Sequence, residues 1–185
     1  MLSSFVKPKI ERIHISYLIN NFNLEYPESL NLKLNRIRPD LAGETGVNVH
    51  LFELKSRLYP VNQTGPRKRP ESDFAWWSLE ETQIKNYENL ANANNYGLFW
   101  IFMLGRVKER ISDKKTVVEN CIQHRDIYVA PWKIYKTVAL SGASQRNIGL
   151  SRLKRELDFT ERSVRKGTLF ISKSINDLVN NYFKS

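Results

Sequence analysis

The chain has one cysteine, Cys121, and three histidines among 185 residues. A single thiol excludes an internal disulfide framework and a cysteine-rich zinc site. His14, His50 and His124 show no metal-ligand spacing and read as structural. Nor is there a long apolar run. The longest, Tyr96 to Gly105, is ten residues, about half of what a bilayer crossing needs. Met1 to Arg12 lacks the apolar stretch and small-residue cleavage site of a secretory leader. These absences predict a cytoplasmic chain in a reduced compartment, with no membrane partner.

Acidic side chains are also scarce. Twenty-nine Lys and Arg face nineteen Asp and Glu, a net charge of +10. Residues 131–185 hold eleven basic and four acidic groups, so most of the excess lies in the last third. Such a surface concentrates polyanions, and nucleic acid is the commonest of these inside cells. With 41% hydrophobic residues there is enough apolar material for a core.

The spacing of Ile10, Ile13, Tyr17, Leu18 and Phe22 predicts a first helix over 7–23. Leu30, Leu32 and Leu34 alternate with Asn31, Lys33 and Asn35, which predicts a half-buried strand over 30–37. Gly43 to Gly46 reads as a turn, and a second strand follows from Val47 to Lys55. Residues 58–74, with three prolines, read as a long loop. Ser78 and Glu81 form a capping-box signature for a helix through Asn95. After Gly97, Leu98 to Leu104 has the continuous apolar character of a central strand, and Asp126 to Ala130 is another short apolar segment. Ser112 to Lys115 reads as a polar hairpin before Thr116–Ile122. Two domains are expected, a core over 1–140 and a basic, mainly helical extension over 141–185. In the latter, Leu150, Leu153 and Leu157 mark one helix, 160–166 a second, Leu169 to Ile171 a strand, and 174–183 a last helix.

The second strand carries the chemistry. Its face Val47, Val49, Leu51 continues with Glu53 and Lys55, about 6.7 Å apart along the strand. A carboxylate and an ammonium at the edge of a core are costly unless they pair, bind metal or react. Asp40, thirteen residues before Glu53, ends the preceding strand. In a tight hairpin the two carboxylates would not be direct partners, so a bulge is expected to bring them together. Two carboxylates and a strand carbonyl suit Mg²⁺.

The ordered set Pro39-Asp40, then Glu53-Leu54-Lys55, resembles the PD-(D/E)xK nuclease superfamily. The helix before this hairpin and the helix and strand after it extend the resemblance over residues 9–104. Gln83 and Tyr87 match a Gln-x-x-x-Tyr pattern of some branches. The resemblance implies an α/β fold with a restriction-endonuclease-like αβββαβ core, a mixed central sheet and flanking helices. It implies Asp40, Glu53 and the Leu54 carbonyl as Mg²⁺ ligands, Lys55 as catalytic lysine and Glu11 as the helix-borne glutamate. A type II restriction endonuclease on double-stranded DNA, acting as a homodimer or tetramer, is the implied function. A homing endonuclease and a Holliday-junction resolvase are the alternatives within the superfamily, and a non-enzymatic DNA-binding regulator the one outside it.

DNA contacts are expected from Arg57, from Arg67-Lys68-Arg69, and from Arg152, Lys154, Arg155, Arg162, Arg165 and Lys166. Leu150 to Gly167 has the layout of a helix-turn-helix but lacks glycine at the turn, where Asp158-Phe159 stands. Trp76-Trp77 reads as a helix entrance or interface anchor rather than a base-stacking pair.

Overall fold

The computed structural model describes residues 7–34, 37–63, 68–109, 121–141 and 145–173. The fold is α/β. A mixed six-stranded sheet has the order β1(Leu41–Thr45), β2(Asn48–Asn62), β4(Gly97–Glu109), β5(Ile122–Pro131), β9(Gly167–Ser172), β8(Phe159–Val164). Strands β2 and β4 run parallel, as do β5 and β9, and the other neighbours are antiparallel. A second sheet joins β3(Trp76–Glu80), β7(Gln145–Gly149) and β6(Leu140–Ser141). Helix α1(Lys7–Asn21) packs on one face of the large sheet through Leu18 and Phe22 against Phe52, Leu54 and Ile101. The other face lies under the small sheet, α2(Glu81–Asn94), α3(Tyr135–Val138) and α4(Leu150–Glu156). Covered on both sides, Ile101 to Leu104 are fully buried, which is why this strand reads as an unbroken apolar run. Among the described residues no helix is long and apolar enough to cross a membrane.

Several expected elements are different. Of residues 30–37, the described ones, 30–34 and Ile37, are not in a strand: a 3-10 turn occupies Pro27–Leu30, Asn31 is left-handed at φ 50, and residues 32–34 are irregular. The leucines do alternate in burial, packing against Ala42, Leu51 and Leu90, but among the described residues no strand ladder pairs with them. The first hairpin strand is instead β1, which runs through Gly43. The turn is Gly46-Val47, with Gly46 at φ 59 in the first central position, as a two-residue II′ turn requires. Val47, expected to face inward, is 97% exposed at that turn. Leu58 to Asn62 extend β2 rather than opening a loop. Pro60 is tolerated there because β1 ends opposite Phe52, leaving that edge of β2 without a ladder to interrupt.

The capping box does not form. Ser78 lies in β3, where alternate burial of Trp77 and Leu79 sets a period of two, and its hydroxyl donates to Asn147 Oδ1 at 2.8 Å. Helix α2 starts at Glu81 without a side-chain cap. In the last third, α4 and β9 fall where expected, but 160–166 is not helical. It forms β8 and the turn at Arg165-Lys166, with Arg165 at φ 49. Because β9 inserts between β5 and β8, residues 159–172 complete the central sheet rather than form a helical appendage. This also removes the helix-turn-helix reading. The stretch 112–115, most of 116–122 and the helix expected over 174–183 fall outside the described residues.

One buried polar contact ties α1 to β2. His14 is fully buried, with Nδ1 2.9 Å from Ser56 Oγ. Gly105 permits the approach, since a Cβ there would lie 3.1 Å from His14 Nε2. Burial, reinforced by the Arg125 charge, lowers the His14 pKa to about 3. Folded His14 therefore stays neutral, whereas the unfolded imidazole takes a proton below its ordinary 6.5. Its contribution is complete above pH 6.5 and is lost as pH falls toward 3. Relative to His14→Asn, the native chain should lose about 2 kcal/mol between pH 7 and pH 5. Urea unfolding at the two pH values checks this, and parallel losses in both proteins would contradict it.

Candidate active site

The hairpin register builds the site. Leu41 pairs with Phe52 and Thr45 with Asn48. The same register extended by one residue sets Asp40 opposite Glu53, so the expected bulge is unnecessary. The sequence reading missed this because it placed the turn too early. β1 stops at Leu41, and among the described residues no strand lies beside that edge of β2 from Glu53 onward. Asp40 Oδ2 takes over the missing ladder bond, accepting the Leu54 N–H at 2.8 Å. Since N–H and C=O of one strand residue face the same edge, the Leu54 carbonyl opens beside the Asp40 carboxylate.

On the adjoining face α2 supplies the partners. Glu53 Oε1 accepts from Lys55 Nζ at 3.0 Å and from Gln83 Nε2 at 2.5 Å. Lys55 Nζ also donates to Gln83 Oε1 at 3.0 Å. The Tyr87 hydroxyl donates, 2.7 Å from Glu53 Oε2 and 2.8 Å from the Arg38 carbonyl. Gln83 and Tyr87, one helical turn apart, therefore hold one carboxylate by both oxygens. The Glu53 and Lys55 side chains are only 7% and 13% exposed. Below them Lys55 Nζ stands 5.9 Å from the Trp100 ring, which stacks on Trp132 at 3.8 Å. Trp100 carried no sequence signal, being one apolar residue in a continuous run.

The electrostatics are strained in one direction. Burial, and then the Glu53 charge, push the Asp40 carboxyl well above the ordinary carboxylate range, against the pull of the Leu54 N–H and Lys55. Glu11 adds to that push and also raises Arg57, whose pKa burial lowers. The structure thus brings Asp40, Glu53, Leu54 and Lys55 together and places the Glu11 charge within their field. Tyr87 is raised by burial and Glu53, so its hydroxyl keeps its proton. Among the described residues no group of three or more His, Cys, Asp or Glu side chains could hold a metal. The available donor set is two carboxylates and a main-chain carbonyl. It fits a hard cation that keeps water or phosphate oxygens in its remaining positions, as Mg²⁺ does.

The basic residues divide by location. Arg57, two positions beyond Lys55 on its face of β2, donates from Nε to the Trp76 carbonyl at 2.9 Å. Lys68 and Arg69 are exposed, Arg69 pairing with Asp73 at 3.2 Å, while Arg67 lies outside the described residues. Arg152, Lys154 and Arg155 sit on α4. Arg162 on β8 and Arg165 and Lys166 in its turn lie at the far edge of the sheet, four strands and about 19 Å from β2. They are not brought to the carboxylates. His124 Nε2, 2.9 Å from Asp126 Oδ1 and 3.2 Å from Thr168 Oγ1, is tied into a side-chain network.

No protein-family model matches the chain, and no curated protein does. Among solved structures, Hjc, a Holliday junction resolvase from the archaeal hyperthermophile Archaeoglobus fulgidus, is similar with a TM-score of 0.45 and 10% identity. The match covers 96% of this chain and 98% of that one. A likeness this loose adds no weight to the geometry.

In metal-free buffer at pH 7, Asp40→Asn should stabilise the fold by about 1 kcal/mol. The amide retains an acceptor for the Leu54 N–H and avoids the proton that Asp40, its pKa raised to about 8, must take up on folding at this pH. Chemical denaturation tests this; a less stable variant would mean that the carboxyl's bond to the Leu54 N–H outweighs the cost of protonating it.

Proposed function

We propose that the chain is a Mg²⁺-dependent endonuclease of the PD-(D/E)xK kind that hydrolyses phosphodiester bonds in DNA. The Asp40 carboxyl on the Leu54 N–H, with Glu53 and Lys55 hydrogen-bonded to each other on the same strand, is the observation that carries this reading. Asp40, Glu53 and the Leu54 carbonyl would hold the cation. Bound there, Mg²⁺ would offset charge developing on the phosphate and favour ionisation of a water.

The chain's own groups have separable tasks. Lys55 spends two of its donors on Glu53 and Gln83. The third remains to orient the attacking water or donate to a non-bridging phosphate oxygen. Gln83 and Tyr87 keep the Glu53 carboxylate from rotating, and Tyr87 does so without releasing a proton. Glu11, whose charge reaches Asp40 and Arg57, fits a supporting acidic role. The excess of ten positive charges supports a polyanionic substrate. Arg57, two residues past Lys55, and Lys68 and Arg69 further along are candidates for phosphate contact, as are Arg152, Lys154 and Arg155.

Supercoiled plasmid and a four-way junction, each incubated with Mg²⁺ or EDTA, test the reading. Mg²⁺-dependent scission is expected, and discrete plasmid fragments would identify site-specific cutting of the type II restriction kind. Cutting confined to the junction would identify a resolving activity, and no cutting of either would sink the proposal. Asp40→Ala, Glu53→Ala and Lys55→Ala should each reduce the cleavage rate on the order of 10²- to 10⁴-fold while DNA binding persists. Glu11→Ala should cost less. Normal cutting by Glu53→Ala would remove the site assignment.

A further inference from the structure

Beyond Lys55 the same face of β2 continues into a strip where aromatic rings and cations interleave. The Arg57 guanidinium lies 4.6 Å from the Trp76 ring centre, and its Nε is fixed by the Trp76 carbonyl. Trp76 Nε1 donates to the Asp73 carbonyl at 2.9 Å, so the indole is held at its polar edge as well. Asp73 in turn binds Arg69, whose guanidinium stands 5.0 Å from the Phe74 ring, and Phe74 meets Tyr59 edge-on at 5.4 Å. Trp76 nevertheless remains 41% exposed, whereas Trp77, Trp100 and Trp132 are buried. An indole pinned at its edge and backed by a guanidinium, yet open to solvent, has its rotamer entropy already removed.

We propose that Trp76, backed by Arg57, is a stacking platform for an unpaired nucleobase of the DNA that the neighbouring Asp40–Glu53–Lys55 site would cut. The inference rests on the nuclease reading for the identity of its ligand. Three observations select a base over a protein surface. Cations alternate with the rings, which suits a strand whose phosphates and bases alternate. Arg57, which backs the indole, stands two residues from Lys55, about 6.7 Å along the strand and close to one nucleotide step. The flanking groups Arg57, Arg69 and Asp73 are charged, unlike the apolar core of a protein interface. A base buried in an intact duplex cannot reach an indole face. The platform therefore assigns the enzyme a substrate with unpaired nucleotides beside the scissile phosphate, such as a gap, an overhang or a branch.

Intrinsic fluorescence gives a direct readout, because Trp76 is the one exposed tryptophan of the four. The full chain is titrated in EDTA with oligodeoxythymidylate and with a blunt duplex of equal length. The thymidylate should quench the emission and the duplex should not. Trp76→Ala should weaken single-strand binding about five- to 150-fold, and Trp76→Phe should keep most of the affinity without the quench. Unchanged single-strand affinity in Trp76→Ala, or equal quenching by the blunt duplex, would overturn the inference. If Trp76→Ala fails to fold, the native quench and the Trp76→Phe affinity decide. Binding is read without cleavage, so a quench in a chain that cuts nothing removes only the nuclease reading. Cutting without a quench removes only the platform.

Discussion

The Asp40 carboxylate accepting the Leu54 N–H is the contact on which the site depends. Such a hydrogen bond contributes roughly 0.5–1.5 kcal/mol to a neutral acceptor and about 1.5–3 kcal/mol to a charged one. Here it also stands in for a strand that has ended. β1 provides five residues of pairing and then stops, and its next side chain satisfies the backbone group left behind. Among the described residues, the substitution leaves an open strand edge that presents a carboxyl group beside a main-chain carbonyl. An ordinary sheet edge would offer neither the charge nor the depth.

The fold tolerates this through the layer above it. Helix α2 reaches the site by crossing between the parallel strands β2 and β4, and its Gln83 and Tyr87 approach Glu53 from the covered face. The stacked rings of Trp100, Trp132 and Tyr87 make that floor rigid and dry. Lys55 is placed over it, held by two oxygens. What remains uncompensated is negative: the Asp40 pKa is driven upward by burial and by Glu53 despite the lysine. A site left with such repulsion favours a cation, and stability is the quantity given up.

The chemistry was more legible in the sequence than the elements that hold it. Glu53 and Lys55 share a face because strand periodicity is strict, and Gln83 and Tyr87 share one because helix periodicity is. Asp40 was identified, but its route to Glu53 was not, since two glycines close together offered two places for the turn. Leu30, Leu32 and Leu34 show the limit of pattern: alternation records which side chains are covered, not whether a neighbouring backbone completes a ladder. Thr160 to Val164 shows the reverse. Its charged residues read as a helix face, yet pairing with β9 makes it the edge of the central sheet. Ser78 and Glu81 satisfied a local capping signature that the buried Trp77 and Leu79 overrode. Long-range pairing decided each of these, and it leaves no mark in a short window of sequence.

The central claim is that the open edge of β2 binds a divalent cation through Asp40 and Glu53. Calorimetric titration of the metal-free chain with Mn²⁺ tests it most directly. The account predicts saturable binding to the native chain that is lost in both Asp40→Asn and Glu53→Gln. Undiminished binding by the Asp40→Asn chain would contradict it.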